Sequence, residues 1–216
     1  PYDPLRDFAP ITPVGSVPMV LIVHPSLPAR SVKELVALTK ARPGELNFGS
    51  AGNGATTHLA VELFVLLTGA RMTHVPYKGS PQAVADLVAG NVQLGIPTMP
   101  AALSFIKAGR ARAHAVTAGN RRPVLPEVPT MQEAGVRGYE TDLWTGILAP
   151  AGTPPAVLSK LHSEIVHVAA LPEVREALGR QGATPHTSTQ EEFGAFIKAE
   201  FAKWARVVKA ANVRPN

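Results

Sequence analysis

Between Met19 and Thr117 the chain alternates short apolar runs with longer stretches of helical periodicity, and this alternation restricts the fold more than any other feature of the sequence. Met19-Val-Leu-Ile-Val-His-Pro25 is a continuous branched run, the pattern of a strand buried on both faces. Ser31-Val-Lys-Glu34 reads as a capping box that opens a helix ending before Pro43-Gly44. Strands are then expected at Leu46 to Gly49, Thr73 to Pro76, Val92 to Ile96 and Ala111 to Thr117. Helices are expected between them, at about 56–68, from a Ser80 cap with Pro81 in the first turn, and over Pro100 to Ala108. Such alternation implies an α/β fold with a parallel sheet, whose ligands gather at the carboxyl ends of the strands. That places Ser50, Tyr77, Pro97, Thr98 and Thr117 on one rim.

The flanks read differently. Prolines at 1, 4, 10, 13 and 18 suit an extended connector crossing a surface. After a basic, proline-rich loop at 118–128, Thr130-Met-Gln-Glu133 caps a short helix ended by Gly135, and Thr141 to Leu148 reads as a strand. From Pro155 onward the chain reads as helical throughout, over about 155–170, 172–181 and 189–210, with Thr189 as the last cap. The formal charge of +5 comes from scattered basic residues with no aromatic interleaving, which argues against a nucleic-acid groove. Without cysteine there is neither a disulfide framework nor a thiolate metal site, and no apolar run reaches the length of a membrane-spanning helix.

The stretch Asn47-Phe-Gly-Ser-Ala-Gly-Asn-Gly-Ala-Thr-Thr-His58 carries the chemistry. A strand runs into glycines and hydroxyls and then into an apolar helix, so unpaired amides and the positive end of the helix dipole meet at the turn. The pattern predicts an anion site. It is not a P-loop, because Ala55 stands where the phosphate-binding lysine belongs. Nor is it a dinucleotide fingerprint, because Thr57 replaces the third glycine and no acidic residue follows the strand ending near Val75. A glycine-rich connection without a ligand stays open as the plainer reading. Ser50, Asn53, Thr56 and Thr57 either donate to a carboxylate or cap the helix, and His58 either holds the loop or touches the ligand. Tyr77 and Lys78 lie on the same rim, and Trp144 either lines a cleft or packs at a crossing. For hydrolysis, Gly49-Ser-Ala-Gly52 approaches a nucleophile elbow at Ser50, but Phe48 takes the place of its first glycine, and Asp142 and His186 carry no local signal as partners. The seven histidines show no paired metal-ligand spacing, and no cofactor is indicated.

Tyr2-Asp-Pro, Asn47-Phe-Gly-Ser-Ala-Gly-Asn-Gly, His58-Leu-Ala, Val75-Pro-Tyr-Lys-Gly, Ala115-Val-Thr, Val128-Pro-Thr and Leu148-Ala-Pro-Ala-Gly-Thr-Pro occur in order along the chain. This set resembles the Bug-type periplasmic receptors, the solute-binding subunits of tripartite tricarboxylate transporters. The resemblance implies a two-lobed, type II-like periplasmic-binding-protein fold that is not an enzyme. It implies a monomer that closes on a small organic carboxylate and delivers it to a membrane permease. The alternatives are a ligand-sensing module for a membrane kinase and an esterase-like hydrolase using Ser50. The family pattern places lobe one at 1–24 and 146–216 and lobe two at 25–145, with crossings near Val23 to Pro25 and Trp144 to Gly146. Ligand contacts are expected from Ser50, Ala51, Gly52, Asn53, Gly54, Thr56, Thr57, His58, Tyr77, Lys78, Pro97 and Thr98. Two departures stand out. The stretch that supplies the first half of lobe one in such receptors, with a Pro-x-x-Gly-Gly-type loop, has no counterpart here, so lobe one is expected to be incomplete. Pro97-Thr98 stands where relatives commonly carry an aspartate and a small polar residue, which disfavours amino acids as ligands.

Overall fold

The computed structural model describes residues 2–180 and 182–213, so the expected helix end at 181 and both chain termini lie outside the described residues. In chain order the elements are β1 (Phe8–Val17), β2 (Val20–Val23), α1 (Val32–Ala41), β3 (Asn47–Ser50), α2 (Thr56–Thr68), β4 (Thr73–Pro76), α3 (Ser80–Ala89) and β5 (Leu94–Gly95). They continue with α4 (Met99–Lys107), β6 (Arg112–Val116), β7 (Leu143–Pro150), α5 (Pro155–Ala170), α6 (Pro172–Arg180), β8 (Thr184–Pro185) and α7 (Gln190–Ala210). The chain divides into two compact units, one of Pro1–Val17 with Trp144–Ala205 and one of Pro18–Leu143 with Arg206–Asn216.

The larger unit is built on a five-stranded sheet of order β4-β3-β5-β2-β6. β3 pairs parallel with β4 and β5, while β2 runs antiparallel to both β5 and β6. The sheet is therefore mixed, not wholly parallel. A continuous apolar run reports burial on both faces but not strand direction, and the four residues of β2 are indeed fully buried. β2 lies inside this sheet, between β5 and β6, and the chain enters the unit at residues 17–18, where the family pattern placed the crossing near Val23 to Pro25. It leaves at residues 143–144, and the segment from Arg206 clusters with this unit, not with the other.

Helices cover the sheet because their apolar stripes require it. α2 buries Ala60, Val61, Leu63 and Phe64, and the buried Tyr139 hydroxyl donates to the Ala60 carbonyl at 2.9 Å. Val84 and Leu87 of α3 and Met99 and Ala102 of α4 share a core with Val20 and Ile22 of β2. α1 begins as expected: Ser31 Oγ accepts from Glu34 N at 3.2 Å, and the Glu34 carboxylate accepts from Arg30 N at 2.8 Å. α3 departs from expectation, since Gly79 and not Ser80 is the N-cap, with φ +151°. The Thr130–Glu133 box forms both of its reciprocal bonds, at 2.8 and 3.1 Å, yet closes only a turn over 131–135. Gly135, at φ +97°, breaks the run before a helix can propagate.

The smaller unit has a three-stranded sheet of order β7-β1-β8. β1 overturns the expected irregular connector, and it carries Pro10 and Pro13. Proline cannot donate to a ladder, but the β8 ladder reaches only Gly15 and Ser16, so one flank of the strand makes no demand on those positions. The two-residue β8 falls in the gap between the helices expected at about 172–181 and 189–210, where no strand was expected. Thr12 Oγ1 accepts from Ser188 N at 3.1 Å and donates to Ser188 O at 3.0 Å, tying β1 to the segment that leads into α7. α7 opens on a complete Thr189–Glu192 capping box. Gly146 of β7 leaves room for the Phe193 ring, which any Cβ there would strike.

Candidate functional site

The three parallel strands β3, β4 and β5 each hand the chain over to a helix, so α2, α3 and α4 all begin at the carboxyl edge of this sheet. Small residues keep that edge close-packed. A Cβ on Gly95 would lie 3.0 Å from the Gly49 carbonyl, and one on Gly49 would sit 3.3 Å from Ala83, Tyr77 and Val92. Between them lies a cavity of about 10 Å³, bordered by Ser50, Ala51, Thr57, Ser80 and Pro97, with room for about one water.

Residues 51–55 link β3 to α2, and two glycines in left-handed backbone, Gly52 at φ +135° and Gly54 at φ +73°, make the turn possible. Most of the loop's amides are consumed within it. Ala51 N donates to Thr57 Oγ1 at 2.9 Å, Gly52 N to Ser50 Oγ at 3.2 Å, Gly54 N to His58 Nδ1 at 3.0 Å and Ala55 N to Gly52 O at 3.2 Å. The Ser50 hydroxyl is buried and committed to the loop and to His74, so it is not a free donor as expected. α2 has Ala55 as its N-cap, with no side chain over the first turn. The amides of Thr56, Thr57 and His58 therefore lack intrahelical acceptors, which concentrates the positive end of the helix dipole at this first turn.

An aromatic stack stands behind the loop. His74 lies 3.8 Å from His58 with the rings 8° from parallel, and Phe48 covers His74 at 4.8 Å. His74 Nε2 is 2.6 Å from Ser50 Oγ. Burial, and then the neighbouring His58, push the His74 imidazole down to about 4, while Glu62 acts the other way. His58 faces Glu62 through Nε2 at 3.4 Å. His74 has no sequence signal of its own: its place depends on the register that sets it opposite Phe48, which local spacing does not reveal.

The remaining expected residues take various positions. Tyr77 donates to Asp86 Oδ2 at 2.7 Å, and burial together with this carboxylate pushes its hydroxyl up to about 12. The phenol thus anchors α3, while its backbone N–H donates to the Ser50 carbonyl at 3.0 Å. Lys78, Asn53 and Gly54 are exposed. Pro97 is buried, with its carbonyl accepting from Val20 N at 3.1 Å, and Thr98 is the N-cap of α4 and bridges to Met19. Of the residues weighed for hydrolysis, Asp142 is paired with Arg122 at 2.9 Å, and His186 belongs to the other unit. The histidine actually beside Ser50 is His74. Ser50 is 1% exposed, and among the described residues no carboxylate bonds to the His74 ring to orient it as a base.

The family model described as "Tripartite tricarboxylate transporter family receptor" matches residues 1–213. Protein BugT of Bordetella pertussis is 40% identical over 214 residues, which is 99% of this chain and 66% of the relative. The chain thus spans just under two thirds of that relative's length. An R. palustris protein solved with adipate is 39% identical and superposes with a TM-score of 0.82 over 100% of this chain and 72% of its own. The structure of the periplasmic binding protein BugD is 33% identical, with a TM-score of 0.80 over 100% of this chain and 73% of its own.

Proposed function

Because the chain belongs to the tripartite tricarboxylate transporter receptor family, we propose that it captures a small organic carboxylate in the periplasm and delivers it to a membrane permease. The observation that carries this reading is the first turn of α2. Its amides have neither intrahelical acceptors nor a side-chain cap, beside a loop in which the Ala51, Gly52, Gly54 and Ala55 amides are already bonded, which suits a carboxylate and leaves no basic side chain essential to it. Thr56 adds a hydroxyl at the same turn, and Asn53 and Gly54 form the exposed tip beside it. Each charge-assisted hydrogen bond contributes about 1.5–3 kcal/mol, so two or three reach micromolar affinity after ordering costs are subtracted.

A dicarboxylate is the favoured ligand, in keeping with adipate in the R. palustris relative. Amino acids are disfavoured, because Pro97 offers no carboxylate to an ammonium group and burying one unpaired costs several kcal/mol. Ser50 is buried, and among the described residues no carboxylate bonds to the His74 ring beside it, which supports binding over hydrolysis. No helix among the described residues is long and apolar enough to cross a membrane. The test is calorimetry on the whole protein with adipate, glutarate and glutamate. Micromolar or tighter binding of the diacids with weaker glutamate is expected, and glutamate binding more tightly than glutarate would overturn the assignment.

A further inference from the structure

This inference rests on reading the Thr56 to His58 turn as the carboxylate site. We propose that His74 is a positioning residue for that site: stacked on His58 and bonded to Ser50, it holds both ends of loop 51–55 in the form that leaves the turn open.

The loop is fastened at two points. At the strand end, Ser50 Oγ accepts from Gly52 N at 3.2 Å and lies 2.6 Å from His74 Nε2. At the helix end, His58 Nδ1 accepts from Gly54 N at 3.0 Å. An accepting Nδ1 has its lone pair free, so the ring proton of His58 sits on Nε2, facing Glu62 Oε1 at 3.4 Å. The stack couples the two rings. At 3.8 Å and 8° from parallel, charge on one imidazole opposes charge on the other. The carboxylate acting on the pair is Glu62 of α2, while β3 contributes only the neutral Phe48 and Ser50. Burial and His58 together keep His74 neutral down to about 4. Gly52 and Gly54, both in left-handed backbone, are the residues these bonds hold in place.

The test compares the whole wild-type protein with His58→Asn, His74→Phe and His74→Gln, titrating adipate at about pH 7.5. Amide-exchange protection at Gly52 and Gly54 is read in the ligand-free proteins under the same conditions. His58→Asn, which accepts from Gly54 but does not stack on His74, is expected to bind more weakly while keeping Gly54 protection. His74→Phe keeps the stack but takes from Ser50 its bond to His74, and is expected to lose at least about fivefold in affinity along with Gly52 protection. His74→Gln, which gives Ser50 a polar partner at this position again, should recover part of that loss. Wild-type affinity and Gly52 protection in His74→Phe, or no recovery in His74→Gln, would overturn the proposal. Wild type that fails to bind adipate at neutral pH counts against the carboxylate reading instead, and the exchange data then decide the fastening independently.

Discussion

His74 ionises at about 4 in the folded protein and near 6.5 in an unfolded chain, so between those values the unfolded state binds more protons. The stability this contributes is fully present above pH 6.5 and is lost as the pH falls toward 4. His114 adds to the same trend, since burial first of all lowers it too. Urea denaturation of wild type and His74→Phe across this window should show a shallower loss of stability in the variant, and parallel curves would be the contrary result. At the loop tip, a Cβ on Gly54 meets no protein atom within 4 Å, so Gly54→Val exerts its effect through the left-handed backbone and through the open space in front of the turn. The backbone strain costs about 1–2 kcal/mol. Gly54→Val should therefore reduce adipate affinity more than Lys78→Ala, as calorimetry on both would show. The reverse order would mean that the anion is held by charge.

Helices were the most legible elements. α2 begins at Thr56 and ends at Thr68 as the sequence implies, because Gly69 supplies a left-handed C-cap at φ +70° and a long apolar stretch precedes it. The capping boxes at Ser31 and Thr189 were also readable, since their bonds are local. Ser31→Ala should cost about 1 kcal/mol by thermal or urea unfolding, because Glu34 N then loses its Ser31 acceptor. What depends on distant partners was not readable. β1 was hidden by its prolines, which are tolerated only because β8 is so short. The direction of β2 was hidden because its neighbours follow it by most of the unit's length. For the candidate site, the glycines, hydroxyls and helix start could be read in sequence, whereas His74, the engagement of Ser50 and the anchoring of Tyr77 to Asp86 arise from cross-strand and helix packing.

At the scale of the whole molecule, the chain passes from one unit to the other beside a partly buried ion pair. Arg122 donates to Asp142 Oδ2 at 2.9 Å, both side chains are about one-fifth exposed, and Asp142 precedes the passage at residues 143–144. Removing one partner strands the other charge, so Asp142→Ala should cost about 2 kcal/mol, with Arg122→Met less harmful in the Asp142→Ala background than alone. A double-mutant cycle by urea unfolding measures the coupling, and additive losses would show the pair to be independent. The place of β2 bears on how the chain is made. Val20–Val23 leaves the ribosome well before its partners at Leu94–Gly95 and Arg112–Val116. Until they do, the most apolar strand of the sheet has both edges open, and pairing must close long loops before it yields any burial. Nascent chains that stop short of Arg112 are therefore the ones most prone to aggregate or to recruit a chaperone, and release from that hazard comes with a single late segment, β6.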